Sequence, residues 1–402
     1  MQTDHAIHTS ELLLLCLYGF FCLSIGGGLL PLLPVYAIQL GALPSQIGLY
    51  MALTYAGLTL STLLTGHVVD KLPRRRLFAF LTGLALLPTL WWMAIAVTLW
   101  ELIVATGLTW FFGGGCFALC LIFTGMAAGP KERGKIFGII ATAMGLGGLA
   151  GSLVAGAIAD RWGYPTLLIV FALYSLLLAL TPLLIPSARR ISTGSDAAEA
   201  NQTEATAANS DSHTGLGPAL YLLVLATLFV GAMSFVAILG RSLAMNALTY
   251  TSTDIAFATA IGTAVGIPWP IWIGRLSDRY SRVSLLILCY MGTGLSLVLL
   301  AVATAPWQFW IASSLMAMNG GASGIINAIV TDIVPRRLVG TGLSYTNAAQ
   351  WVGAVIGFSS AGYVVEAIGI SMTFLAFTLL APIAILAALR SGAVYRQQVA
   401  MT

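Results

Sequence analysis

The sequence predicts an all-α integral membrane protein with 12 transmembrane helices in two pseudo-symmetric six-helix bundles, and three observations carry that prediction. The chain of 402 residues is 58% apolar and only 8% charged, with a mean hydropathy of +0.93. An ordinary soluble domain is about 25% charged. Polar breaks then divide the chain into apolar runs close to the roughly 20 residues that one membrane crossing needs. Finally, the second half repeats landmarks of the first at a nearly constant offset, the mark of a protein built from duplicated bundles.

In order, the N-terminal half has runs near 12–39, 45–67, 77–99, 101–126, 135–158 and 165–186. No Lys or Arg precedes the first run, it has no small-residue cleavage site, and it is too long for a secretory signal, so a retained helix is expected. The second closes on Gly66-His67-Val68-Val69-Asp70-Lys71-Leu72-Pro73-Arg74-Arg75-Arg76. The fourth holds Trp110, Phe111, Phe112 and Gly113-Gly114-Gly115, with Cys116 and Cys120 on one face. All five cysteines lie inside apolar runs without a CxxC, so packing is expected in place of metal or disulfide. Gly129-Pro130-Lys131-Glu132-Arg133-Gly134-Lys135 imitates a phosphate-binding loop, but Ile136 stands where Ser or Thr is required and no strand precedes it.

Residues 1–186 are thus expected to form the N-terminal bundle, 187–218 a disordered cytoplasmic linker, and 219–402 the C-terminal bundle. The linker is rich in Ala, Ser, Thr, Asn and acids, with almost nothing to bury. Its Asn201-Gln202-Thr203 sequon should be inert on that side. The C-terminal runs lie near 219–246, 253–274, 283–304, 306–330, 339–363 and 370–390. A second basic loop, Gly274-Arg275-Leu276-Ser277-Asp278-Arg279-Tyr280-Ser281-Arg282, comes 208 positions after the first. At an offset of 206, Gly113-Gly114-Gly115 meets Asn319-Gly320-Gly321, Gly134 meets Gly340, Gly156 meets Gly362, Asp160 meets Glu366 and Gly163 meets Gly369.

Of the 18 Lys and Arg, all but Arg161 and Arg241 fall on one side of this map. That bias puts both termini in the cytoplasm, and a miscounted helix would scramble it.

The paired loops resemble the signature of the major facilitator superfamily, a glycine followed by an acid, a base and an arginine: Gly66, Asp70, Lys71 and Arg74, then Gly274, Asp278, Arg279 and Arg282. The resemblance covers essentially the whole chain and is closest in character to the drug-efflux branch. It implies a substrate site between the bundles near the bilayer midplane, exposed alternately to each side. It also implies that Asp70 latches onto the start of the eleventh helix near Leu338 to Gly340, and that Asp278 faces the start of the fifth near Arg133 to Lys135. Such contacts would hold an outward-facing state. Asp332 is a candidate partner for Arg282 or Arg279, and the alternative is that these bases only set topology. Pro73 and Ser281 depart from the pattern, standing where glycine is usual. Thr109 stands where many proton-coupled drug antiporters of this superfamily carry an arginine.

Every acid lies near a helix end or in a loop, and all four histidines map to the cytoplasmic side, so a central proton relay has no carrier. Facilitated diffusion, exchange, and coupling through a peripheral acid such as Asp254 or Glu366 are the alternatives. Substrate-cavity candidates near mid-depth are Tyr18, Phe21, Trp110, Phe112, Trp269, Asn319, Asn347 and Gln350, a largely neutral set. Interhelical hydrogen bonding is an equal role for the amides. Arg241, in the outer third of the seventh helix, is expected to snorkel to the interface, with a cavity-facing anion site or an Asp254 pair as alternatives.

The sequence therefore predicts a transporter and no enzyme: no catalytic constellation, cofactor or metal site is indicated. The expected partners are a small-molecule substrate, the lipid bilayer and a proton or exchanged solute, with no nucleic acid and a monomeric state. A bacterial inner membrane is the expected location, and the expected activity is export of a small apolar or amphipathic organic compound. The rival readings are a facilitator of a neutral metabolite such as a sugar, and a non-transporting membrane scaffold or assembly factor.

Overall fold

The computed structural model describes residues 9–72, 74–128, 132–185, 217–277, 279–334 and 338–400, with backbone alone at 70, 71, 133 and 395–400. All regular structure among them is helical. Ten helical stretches are long and apolar enough to cross a membrane. Two of the breaks bring the count to twelve passages.

Arg133–Leu184 is continuous over 52 residues apart from Gly163, at φ 81 and ψ 168. At 1.5 Å per residue it would measure about 78 Å, more than twice the ~30 Å hydrocarbon core, so it makes the fifth and sixth passages with the turn at Gly163. The tenth passage is split at Met318 into Pro306–Ala317 and Asn319–Ile333, each too short to span alone. Similar breaks divide the first passage (Thr9–Leu29, Leu33–Gln39), the third (Arg75–Leu84, Leu86–Ile95), the eighth (Ser252–Gly266, Trp269–Ser277) and the twelfth (Ile370–Thr378, Leu380–Ala400). Pro31 and Pro268 lie at two of them, where a missing N–H and a ring clash with the preceding turn interrupt the helix. The second, fourth, seventh, ninth and eleventh passages are single helices: Pro44–Lys71, Leu99–Ala127, Pro218–Ala247, Arg282–Val302 and Val339–Ile368.

Local chemistry fixes the ends of these helices. Thr98 caps Leu99–Ala127, accepting from Glu101 N, while the Glu101 carboxylate accepts from the N–H groups of Val97 and Thr98. In the second half Gln308 does the same for Thr304 and Ala305. Pro begins Pro44–Lys71, Pro218–Ala247 and Pro306–Ala317, where its missing donor costs nothing.

The duplication is visible in backbone geometry. Gly369 turns the chain between the eleventh and twelfth passages at φ 84 and ψ 165, nearly the angles of its counterpart Gly163. Lipid tails supply little hydrophobic drive for helices to associate, so close packing of small residues must hold each bundle together. A β-carbon at Gly147 or Gly151 would stand 2.2 or 2.0 Å from the carbonyls of Phe20 and Ser24, locking the fifth passage on the first. Their repeat partners Gly353 and Gly357 press nearly as closely on Leu228 and Ala232 of the seventh, where a β-carbon would stand 2.4 and 2.5 Å from the carbonyls. The same pair of small residues, four apart, thus welds each half. The linker expectation, the imitation phosphate loop at 129–131, and the side chains of Asp70, Lys71 and Asp278 lie outside the described residues.

Candidate functional site

The halves meet along two seams, the second passage against the eleventh and the fifth against the eighth. At the end of the molecule that carries Gly163, both seams are shut. A β-carbon at Gly48 would lie 2.5 Å from Phe358 O, and one at Gly362 would lie 2.4 Å from Pro44 O. On the other seam, a β-carbon at Gly156 would reach Thr253 Cα at 2.7 Å. Each seam ends in an acid from one half capping a helix of the other. Asp160 accepts from Ser252 N and Thr253 N, both at 2.8 Å, and Glu366 accepts from Ser45 N at 3.2 Å. A carboxylate suits a helix N-terminus because it satisfies orphan N–H donors and faces the positive end of the dipole. Tyr164 Oη adds a 3.0 Å hydrogen bond to Ser252 Oγ. Deeper in, Tyr55 of the second passage packs its ring 5.0 Å from Phe235 and 5.1 Å from Phe358, plugging that seam.

The opposite, basic end differs. Added β-carbons at Gly66, Gly134, Gly274 and Gly340 would meet nothing within 4 Å. Between the halves lies a cavity of about 500 Å³ lined by the first, fifth, seventh, eighth and tenth passages. Arg241, Thr259 and Ser313 line its inner limit, six or seven residues from the Gly163 end of their helices. Gly138, also lining it, is only five residues from the basic end of its own helix. The cavity is therefore closed at the Gly163 end and reaches toward the basic end.

Most of the lining is apolar or glycine, with Thr142, Thr263 and the Thr259–Ser313 pair as polar exceptions. Arg241 is the one charged side chain that lines it among the described residues, and no carboxylate does. It does not snorkel, being 3% exposed. Its Nη1 donates to Ser313 Oγ and its Nη2 to Thr259 Oγ1, both at 2.6 Å, while Nε has no partner. Asp254 caps its own helix, its carboxylate accepting from the backbone N–H of Thr251 at 3.1 Å.

The other cavity candidates are spread more widely. Tyr18 is buried inside the N-terminal half, 6.5 Å ring to ring from Phe123. Phe21 packs edge-on against Tyr174, and Trp110 and Phe112 join the same interior. Trp269 Nε1 donates to Met318 O at 2.9 Å, bracing the break in the tenth passage. Asn319 donates to Ser234 Oγ at 3.0 Å and shares a small polar void with Gln350, Thr227 and Tyr290 within the C-terminal half. Asn347 bonds its own helix, at Leu343 O, 2.9 Å away. Of the nine cavity candidates Arg241 alone lines the large cavity, and Thr259 and Ser313 went unnoticed in the sequence. At the basic end, Arg282 bonds to the Asp332 carboxylate and to Ala328 O at 3.2 Å, within one half. Arg74 precedes Arg75–Leu84 without a side-chain capping bond, and both Arg74 and Arg279 are exposed.

Two duplicated helical bundles, sealed against each other at one end and parted around a central cavity at the other, define a membrane transporter. The sequence model described as Major Facilitator Superfamily matches residues 14–268 and 222–397, and the chain belongs to that family. It is 23% identical over 356 residues to a multidrug resistance efflux pump PmrA homologue of Lactococcus lactis, covering 85% of this chain and 87% of that one. It is also 30% identical over 129 residues to the multidrug resistance protein MdtG of Escherichia coli, about a third of either chain (32% and 31%). Among solved structures, a nucleoside transporter NupG variant superposes with a TM-score of 0.78 at 15% identity, covering 95% and 99% of the two chains. A bacterial homologue of the lysosomal transporter Spinster, inward-facing and occupied, gives 0.74 at 15% identity, covering 96% and 97%. These likenesses establish the fold.

Proposed function

We propose that the chain exports a small amphipathic organic compound across a bacterial inner membrane by alternating access, with its basic end and both termini in the cytoplasm. The observation that carries the reading is the central cavity, shut at one end by two repeat-related seams and extended toward the other. Because the seams are held by helix caps, close glycine contacts and one aromatic plug, they can part as units while each half keeps its internal welds. The positive-inside bias of the loops supports the orientation. The similarity to multidrug efflux proteins supports export, and the mostly apolar lining supports an amphipathic cargo.

In this reading the structure is the cytoplasm-facing state. Asp70 and Asp278 latch the opposite state, in which the basic ends close. The test is transport by purified protein in liposomes with a panel of neutral and charged compounds, with and without an imposed pH gradient. Protein-dependent flux of at least one amphipathic compound is expected. No protein-dependent flux of any member, by protein shown to be folded, would overturn the reading in favour of a scaffold.

A further inference from the structure

The charge balance of the cavity is lopsided. Arg241 is buried in a membrane-spanning helix, yet its hydrogen-bond partners are two neutral hydroxyls, and its Nε has none. A guanidinium carries five N–H donors and stays ionised, and a buried charge is ordinarily paired with an opposite one. Among the described residues the cavity supplies no carboxylate, and the acid of the eighth passage, Asp254, is committed to its own helix cap. The Thr259 and Ser313 hydroxyls hold the guanidinium at the closed end of the cavity. Below it the walls are mostly glycine and apolar side chains, with Thr142 and Thr263 as polar interruptions, and suit an apolar body.

Resting on the transporter reading above, we propose that the cargo is an amphipathic anion: an oxyanion head docks at Arg241, Thr259 and Ser313, and an apolar body fills the cavity toward the basic end. The missing counter-charge is the cargo's own. An oxyanion there completes the guanidinium's hydrogen bonding with charge-assisted bonds, the strong class. The same field repels cationic compounds, for which the described lining offers no compensating acid.

The test is equilibrium binding to purified full-length protein, using four probes of one size: 2-naphthoate, 2-naphthyl phosphate, methyl 2-naphthoate and 2-naphthylmethylammonium. Wild type should prefer an anion over the neutral ester by about tenfold or more, with the ammonium weakest; the preferred anion identifies the head group. Arg241→Gln should erase that preference. Because it leaves two hydroxyls without a donor and could misfold, Thr259→Asp is the second variant. It gives Arg241 an internal carboxylate and should erase the preference while keeping the buried charge paired. Equal binding of anion and ester by wild type, or a preference that survives Thr259→Asp, overturns the proposal. If either result came with carrier-mediated flux in liposomes, only the anion assignment would fall. Absence of flux with the anion preference intact would instead fault the transporter reading.

Discussion

Replacing Asp160 by Asn should loosen the seal at the Gly163 end. The carboxylate accepts two 2.8 Å bonds from consecutive backbone N–H groups at the start of the eighth passage, across the boundary between the halves. A side-chain cap is worth about 0.5–2 kcal/mol, and a negative charge at a helix N-terminus adds about 0.3–1 kcal/mol. Asparagine keeps one acceptor oxygen but loses the charge and the second bond. The site is exposed, so screening reduces the electrostatic share. The net loss is then about 1 kcal/mol, or about a fivefold shift toward states in which this end is open. Each half is untouched, so expression and folding should be unaffected. Pulsed electron paramagnetic resonance can read the shift, with spin labels at positions 162 and 248 in a cysteine-free background. Both positions are exposed, at 61% and 41%, and lie in opposite halves at the sealed end. The fraction of long distances should rise about fivefold, and further in Asp160→Ala. A distance distribution identical to that of wild type, in folded protein, would refute the idea that this cap holds the end shut.

Gly362→Val should act more severely, because its side chain would collide with backbone at Pro44 and Gly48 with no flexible group to give way. Uptake that depends on closing this end should fall at least tenfold in liposomes while monodisperse protein is still recovered. Asp332→Asn breaks an exposed ion pair within one half, so thermal stability should change by less than about 1 kcal/mol, a shift of no more than about 4 °C in Tm. Asp70→Asn should slow transport several-fold with insertion intact, measured as initial flux per assembled protein; unchanged flux would remove the proposed latch.

The architecture could be read from the chain because the signals behind it are global. Twelve apolar runs and a 206-residue echo survive any local misjudgement. Gly163 and Gly369 were matched by sequence and turned out to share one backbone conformation. Asp160 and Glu366 were also matched, but their shared task was hidden. Each caps a helix of the opposite half, 92 and 321 residues away, and nothing local announces such a partner. The cavity was harder still. In helices apolar on all sides, periodicity no longer separates the face toward a cavity from the face toward lipid or a neighbouring helix, so Tyr18, Trp110 and Phe112 looked as eligible as any residue. Thr259 and Ser313 resemble the many hydroxyls that bond their own helix. The usable clue was Arg241: a guanidinium in an apolar span must find acceptors one or two helices away, which points to the hydroxyls of the neighbouring passages.

That arginine also has an electrical consequence. It gives the cavity one fixed positive charge that no acid among the described lining residues neutralises. Moving a full elementary charge through 100 mV is worth about 2.3 kcal/mol. A guanidinium that crosses part of the field as the halves rock would feel a proportionate share of that work. A bound monoanion cancels the charge and with it most of that work. The unloaded protein should thus respond to a voltage step with a brief capacitive current, and saturating monoanion should silence it.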